Sequence, residues 1–341
     1  MNVAIIGARG IGKHHAKWFH LEGCHVAAFA GTSPETCQQA EAALRGLFDF
    51  QGRSYTDYRR MLDAETLDIV SICSPPDCHH AQAVAALQAG AHVYCEKPFI
   101  WPSFDALSYP LPSLSVADRA SATVHHPMLR RTVDEAREVV SLAERRQRVF
   151  GLNAQYVAAH ASYQAMYEAA RGPLRDIDTV YFLLESKGIS GRMSSYEGIF
   201  IDMASHALSQ VIAWLPDGTL DPESVECRIT QNETVARFRY GTATVETVLR
   251  KNPAAQRPRR QFGTNQFIVE YEARADEQGV FRAVLRHGDQ TVTSEDLVQL
   301  SVRRFLDVIR RGEGRPFVDG RDAVTNIELE ALIVERGRRE G

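Results

Sequence analysis

Three side chains in this 341-residue sequence have the types and settings for handling protons and charge: Lys97, Asp202 and His206. Lys97 stands in "CEKP" after a run that reads as a parallel strand, and ligands in parallel sheets bind at the carboxyl ends of the strands. A lysine there donates to a reacting oxygen and stabilises alkoxide charge, although an ordinary surface lysine would have the same local sequence. In "DMASHALSQVIAWL", Asp202 and His206 lie four residues apart, which on a helix puts their Cβ atoms about 5 to 6 Å from each other. Histidine exchanges protons near neutral pH, and a carboxylate beside it orients the ring and raises its basicity. Such pairs also cap and brace helices, so residue type alone leaves both readings open.

A glycine turn supplies the second kind of chemistry. "GARGIGKHHA", residues 7 to 16, follows the apolar run "MNVAII" and precedes a helical pattern. Gly7 would make the turn and Gly12 would let the helix pack closely, aiming backbone N–H groups and the helix N-terminus at a pyrophosphate. Gly10 and Ile11 complete the candidate cofactor loop; a tight strand-to-helix turn with no ligand gives a similar pattern. Arg9 stands where such loops usually carry their middle glycine. An NAD site is expected to place an acidic residue about 20 residues further on, at the end of the second strand. Here that strand ends in "AGTSPE", where Thr32 and Ser33 offer hydroxyls. A guanidinium paired with a 2′-phosphate accounts for both departures and points to NADP(H) over NAD(H). A solvent-facing Arg9 is the alternative.

Other features carry less. The adjacent pairs His14 and His15, His79 and His80, and His125 and His126 have no Cys or carboxylate cluster at ligand spacing, so no metal is expected. The basic stretch "RKNPAAQRPRRQF" (Arg250, Lys251, Arg257, Arg259, Arg260) reads as a solvated loop or as contacts to a phosphorylated or nucleotide-linked substrate.

Strands and helices must hold these residues in place. "NVAIIG", "CHVAAFA", "LDIVSICS" and "AHVYCEKP" read as buried strands separated by helical patterns, with Pro34 and Glu35 in a first helical turn and Gly90 as a helix stop. That alternation predicts an α/β fold with an N-terminal Rossmann doubly wound parallel sheet over 1–150. From 151 to 341 the pattern changes to two helices and several longer strands, predicting an α/β domain on a large open, mostly antiparallel sheet. Between them, after Pro98, about thirty residues (100–132) break the rhythm. A loop of that length is usually functional or poorly ordered, and the expectation is a lid or an intersubunit arm.

Composition narrows the setting. A hydrophobic content of 44% supports two ordinary cores, and a net charge of −4 gives no overall attraction for nucleic acid or an anionic membrane. No apolar run approaches the roughly 18 residues of a membrane span, and the first residues lack the pattern of a signal peptide, so the expected compartment is the cytoplasm. Six scattered cysteines without CxxC spacing read as reduced thiols.

Together, "VAIIGARGIGKHHA", "SICSPPDCHHAQAVAALQAGAHVYCEKP", "GLNAQYV" and "GIFIDMASHALSQVIAWL" resemble the family of glucose-fructose oxidoreductase and inositol dehydrogenase, in order and spacing over nearly the whole chain. The resemblance implies NAD(P)-dependent oxidation or reduction of sugars, cyclitols or related polyols, and a C-terminal sheet used to build a homodimer or homotetramer. It implies that Lys97 binds the reacting oxygen, that His206 is the general acid–base, and that Asp202 holds substrate and tunes the pair. It also puts His79 beside the cofactor with Ser74, Pro75, Glu96 and Lys97, and a cis peptide before Pro98. Two alternatives stay open. One is a reductase of a phosphorylated or nucleotide-linked keto-sugar or other biosynthetic intermediate; the other is a nicotinamide-binding redox sensor without turnover, which would need none of Lys97, Asp202 and His206.

Overall fold

The apolar run at Asn2–Ile6 forms β1, buried over its last four residues, and the glycine turn after it feeds α1 (Gly12–Leu21). A computed structural model describes residues 1–102, 114–187, 198–230, 232–277 and 280–339; the stretch 103–113, within the segment expected to act as a lid or arm, lies outside the described residues. The alternation continues with β2 (His25–Ala30), α2 (Pro34–Arg45), β3 (Arg53–Tyr55), α3 (Tyr58–Ala64), β4 (Ile69–Ile72), α4 (His79–Gln88) and β5 (His92–Glu96). Then come α5 (Val116–Ala120), α6 (Pro127–Arg145) and β6 (Phe150–Asn153). Local chemistry sets the boundaries. Ser33 caps α2, its Oγ accepting from Thr36 N while Thr36 Oγ1 accepts from Ser33 N, with Pro34 in the first turn. Gly90 takes a φ of 88° just past α4, a left-handed stop that side chains resist.

These six strands form one parallel sheet in the order β3-β2-β1-β4-β5-β6. The order reverses between β1 and β4, so their carboxyl ends flank the crevice where ligands bind in doubly wound sheets. The unit built on this sheet comprises residues 1–101, 134–154 and 298–324. Its last segment carries most of α9 (Leu297–Arg311), which local periodicity does not mark as part of this core. Val302, Phe305 and Leu306 are wholly buried with Phe19, Phe29 and Tyr94, and Phe305 meets the Tyr94 ring at 5.0 Å. Arg303 clasps Glu22 through two bonds, Nη2 to Oε1 at 2.8 Å and Nε to Oε2 at 3.0 Å. A Cβ on Gly151 of β6 would come within 2.9 Å of the Phe305 ring, so the bare glycine lets α9 seat.

The second unit, residues 102–133, 155–297 and 325–341, is built on a nine-stranded sheet. Along the chain its elements are α7 (His160–Arg171), β7 (Thr179–Ser186), α8 (Gly198–Trp214), β8 (Leu220–Ile229), β9 (Glu233–Tyr240), β10 (Ala243–Lys251), β11 (Arg260–Thr264), β12 (Phe267–Ala275), β13 (Phe281–His287) and β14 (Gln290–Glu295). After α9 follow α10 (Gly320–Arg336), whose first residues belong to the first unit, and the short β15 (Arg338–Arg339). The order is β14-β13-β12-β11-β7-β10-β9-β8-β15, antiparallel except where β7 meets β10 and β8 meets β15. Helix α8 lies on β7, β9 and β10. Among the described residues no helix is long and apolar enough to cross a membrane.

Phe305→Ala removes a ring at the centre of the first core and is expected to cost about 3–5 kcal/mol of stability, measured by urea unfolding.

Candidate active site

The glycine turn is built as a cradle. Gly7 has a φ of 89°, and a Cβ on it would lie 2.7 Å from Cys73 O; a Cβ on Gly12 would lie 2.3 Å from Gly7 O. Both glycines are therefore required by close backbone approach between the loops after β1 and β4 and the start of α1. Gly10 differs: a Cβ there would meet nothing within 4 Å, so space stays open above the loop. Helix α1 starts with no side-chain cap at Ile11 and no acid in its first turn, which leaves its first N–H groups and the positive end of its dipole for an anion. Ile11 is itself 40% exposed beside this space. These residues fit the pyrophosphate of a dinucleotide.

Around the cradle, Arg9 is exposed, with Nη1 3.4 Å from Gln39 Oε1 on α2. Thr32 is exposed, and the Ser33 hydroxyl is committed to the α2 cap. Glu35 sits in that first turn, where its own backbone N–H and the Ser33 hydroxyl hold its carboxyl below the usual range. Ser74 donates to Gln82 Oε1 at 2.6 Å, and Pro75 continues in extended backbone.

His79 and Glu96 stand behind this surface. His79 is fully buried, with Nε2 2.8 Å from Ser74 O and Nδ1 2.9 Å from Phe99 O, so it ties the loop after β4 to the segment after Pro98. Burial lowers its pKa; a neutral ring has one N–H, which donates to one of these two carbonyls according to the tautomer. Glu96, 6% exposed at the end of β5, receives His15 Nε2 at 2.8 Å and the Asn153 side-chain amide on Oε1, while Oε2 accepts from Lys97 N at 3.1 Å. His15 Nδ1 lies 2.9 Å from Ser71 Oγ. Burial alone would lower the His15 pKa, but neighbouring Cys73 and the Glu96 carboxylate raise it to about 10. Against its own burial, Glu96 is held down to about 2 by His15. Lys97 itself is half-buried, and the Lys97–Pro98 peptide is cis.

In the second unit, Asp202 and His206 occupy successive turns of α8, Asp202 half-buried and His206 8% exposed. The imidazole meets the Tyr156 ring edge-on at 4.8 Å, and Tyr156 in turn meets Phe182 on β7, Phe262 on β11 and Tyr271 on β12. Arg260 lies over Tyr271, 5.8 Å from its ring. The other side of α8 is fastened to α10: Asn326 Nδ2 donates to Ser205 O at 3.0 Å and Ser209 Oγ at 2.8 Å, and Ser205 Oγ donates to Glu330. Two fully or nearly fully buried polar anchors thus fix the rotation of the helix that carries His206. Among the described residues no group of three or more His, Cys, Asp or Glu side chains is arranged to hold a metal ion.

Residues 1–108 match the family described as "Oxidoreductase family, NAD-binding Rossmann fold". The inositol 2-dehydrogenase of Streptomyces avermitilis is 33% identical over 109 residues, 31% of this chain and 30% of that protein. The chain spans between 25 and 33% of the length of the curated relatives it matches. Over the whole chain, the fold is similar to solved oxidoreductases. The UDP-N-acetylglucosamine 3-dehydrogenase from Acidithiobacillus ferrooxidans superposes with a TM-score of 0.69 at 16% identity, covering 99% of this chain and 97% of that one. A levoglucosan dehydrogenase solved with NADH and levoglucosan gives a TM-score of 0.71 at 15% identity, covering 98% and 96%.

The candidate residues divide by unit: the glycine loop, Ser74, His79, Glu96 and Lys97 gather in the first, Asp202 and His206 in the second. Sequence reasoning missed His15, Asn153 and Tyr156. His15 had been set aside as half of a histidine pair, and its signal was its place on the apolar face of α1 with Ala16 and Phe19.

The buried pair makes stability depend on pH. The His15 contribution is complete below its unfolded value of 6.5 and is lost as the pH rises through about 10. The Glu96 contribution is complete above 4.5 and is lost as the pH falls toward about 2. Urea unfolding at successive pH values is expected to show stability declining from pH 6.5 to 10, with a smaller decline in His15→Asn. Removing one partner of a buried pair costs about 3–5 kcal/mol near neutrality.

Proposed function

We propose that this protein is an NADP(H)-preferring oxidoreductase acting between a secondary alcohol and a ketone of a sugar or cyclitol. The observation that carries the reading is the His206 and Asp202 pair on α8, in a chain whose first 108 residues match an NAD-binding oxidoreductase family. The nicotinamide supplies reversible hydride transfer when bound. Gly7, Gly10, Ile11 and Gly12 would hold its pyrophosphate, and Arg9 with Thr32 and Ser33 would face the adenosine ribose. Lys97 donates a hydrogen bond to the reacting oxygen and stabilises its developing negative charge. In oxidation His206 takes the proton of the substrate hydroxyl; in reduction it returns one to the carbonyl oxygen. Asp202 holds the substrate and raises the basicity of the imidazole. Ser74, Pro75, His79 and Glu96 shape the cofactor side, His79 from behind it. The working form is a cytoplasmic homodimer or homotetramer.

Arg260 favours one second reading. It sits over Tyr271, which touches Tyr156, which touches His206, so an anionic group on a phosphorylated or nucleotide-linked keto-sugar would find a cation two rings from the proposed acid–base.

Nicotinamide absorbance, followed with NADP⁺ or NAD⁺ and a panel of inositols, aldoses and their phosphorylated forms, tests both readings. Turnover with NADP⁺ preferred is expected, and preference for phosphorylated substrates would select the second reading. His206→Ala should lower kcat by about 10²- to 10⁴-fold, the usual size of general acid–base catalysis; near-normal turnover would remove the proton-transfer role. Arg9→Ala should reduce the preference for NADP⁺ by about tenfold or more, as loss of a hydrogen bond to a charged group does. A clear NAD⁺ preference in the parent would instead fit Glu35 beside the Ser33 hydroxyl and sink the role of Arg9. Tight cofactor binding without turnover would favour the sensor.

A further inference from the structure

We propose that the buried His15–Glu96 pair is the positioning element for Lys97, fixing where the lysine amine stands beside the reacting oxygen. This rests on the role given to Lys97 above. Glu96 is the last residue of β5, and its carboxylate folds back so that Oε2 accepts the N–H of the next residue, Lys97, at 3.1 Å. A carboxylate in that position could swing in several directions. Here Oε1 is taken by His15 Nε2 at 2.8 Å and by the Asn153 amide, and His15 is held from its other side by Ser71 Oγ at 2.9 Å. Four elements, α1, β4, β5 and β6, thereby converge on one carboxylate whose remaining oxygen addresses the Lys97 peptide. The downstream side is fixed too: Phe99, Ile100 and Trp101 are buried, and His79 bonds to Phe99 O.

Stability alone does not account for the pair. Exchanging a buried ion pair for well-packed apolar residues is often neutral or stabilising, because two desolvation penalties vanish. An apolar pair, however, cannot accept the Lys97 N–H. Nor can it put a negative charge next to the lysine ammonium, an attraction that also contributes to holding Glu96 ionised. His15 is fully buried and Glu96 6% exposed, and the bond from Glu96 Oε2 to Lys97 N is the route by which the pair reaches the reacting oxygen.

The chain contains only five lysines, Lys13, Lys17, Lys97, Lys187 and Lys251, so reductive ¹³C-methylation yields a small set of dimethyl-lysine NMR signals. Loss of one signal in K97R assigns Lys97. In H15N, the Lys97 signal is expected to move to the position of exposed lysines while the affinities for NADPH and NADH stay unchanged. On the best substrate of the panel, kcat should fall about 10²-fold, the scale of a misplacement of about 1 Å at a reacting group. E96Q, which retains an acceptor for Lys97 N and a donor for a neutral His15, should rescue most of what E96A loses; this comparison carries the test if H15N does not fold. An unmoved Lys97 signal in both H15N and E96A would overturn the proposal. So would loss of nucleotide affinity in parallel with kcat, which would reduce the pair to a structural brace. Near-normal kcat in K97M would overturn the role of Lys97 itself, and the H15N signal would then report positioning without catalysis.

Discussion

A carboxylate can be kept ionised inside a parallel sheet only if other groups replace the water it has lost, and Glu96 is the point where this fold meets that demand. Its satisfaction takes a histidine from α1, an amide from β6 and the peptide of Lys97, each from a different part of the first unit. The strand order follows from the same arrangement. β4 and β6 flank β5, and β4 pairs in turn with β1, the strand that leads through the glycine turn into α1. The turn at Gly7–Gly12 brings α1 close enough for His15 to reach under it, and that closeness depends on two positions where a Cβ would collide with backbone. Glycine turn and lysine are thus supported by one set of buried contacts.

The second unit solves a similar problem by different means. The His206 ring is held against an aromatic wall led by Tyr156, and the helix that carries it is fastened to α10 by polar bonds. The buried Asn326 and Glu330 contribute specificity of rotation: a helix slipped by one residue would lose both bonds and turn His206 away from Tyr156. This is why a mostly apolar helix such as α8 carries serines at 205 and 209.

What could be read from sequence was whatever is encoded within a few residues. Gly7 and Gly12, the start of α2 at Pro34 and Glu35, the stop at Gly90, the parallel sheet and the large mostly antiparallel one, and the four-residue spacing of Asp202 and His206 all have local signatures; the cis peptide at Pro98 followed only from the family resemblance. Long-range partners have none. The neighbours that hold the His15 ring lie 56, 81 and 138 positions away, and nothing in "KHHA" separates the buried histidine from its neighbour. Strand β6 ends at Asn153, and the chain turns at Gln155–Ala159, where Tyr156 faces His206. The helical stretch at Leu297–Arg311 is amphipathic on its face, but its membership in the first core rests on Phe305 meeting Tyr94 and on Arg303 meeting Glu22, pairings that only the folded chain reveals.

That membership bears on the order in which the molecule is made. A ribosome releases the glycine turn, the parallel strands and α6 long before Val302, Phe305 and Leu306 emerge. Until then the sheet carries an uncovered apolar face around Tyr94 and Phe19, the kind of transient surface that invites aggregation or chaperone capture. Eight of the nine strands of the second unit's sheet, β7 to β14, are synthesised in the interval. Completion of the first unit is thereby deferred until after most of the second has been made, and a nascent chain stalled before residue 298 would hold every glycine of the cradle without the helix that closes its core.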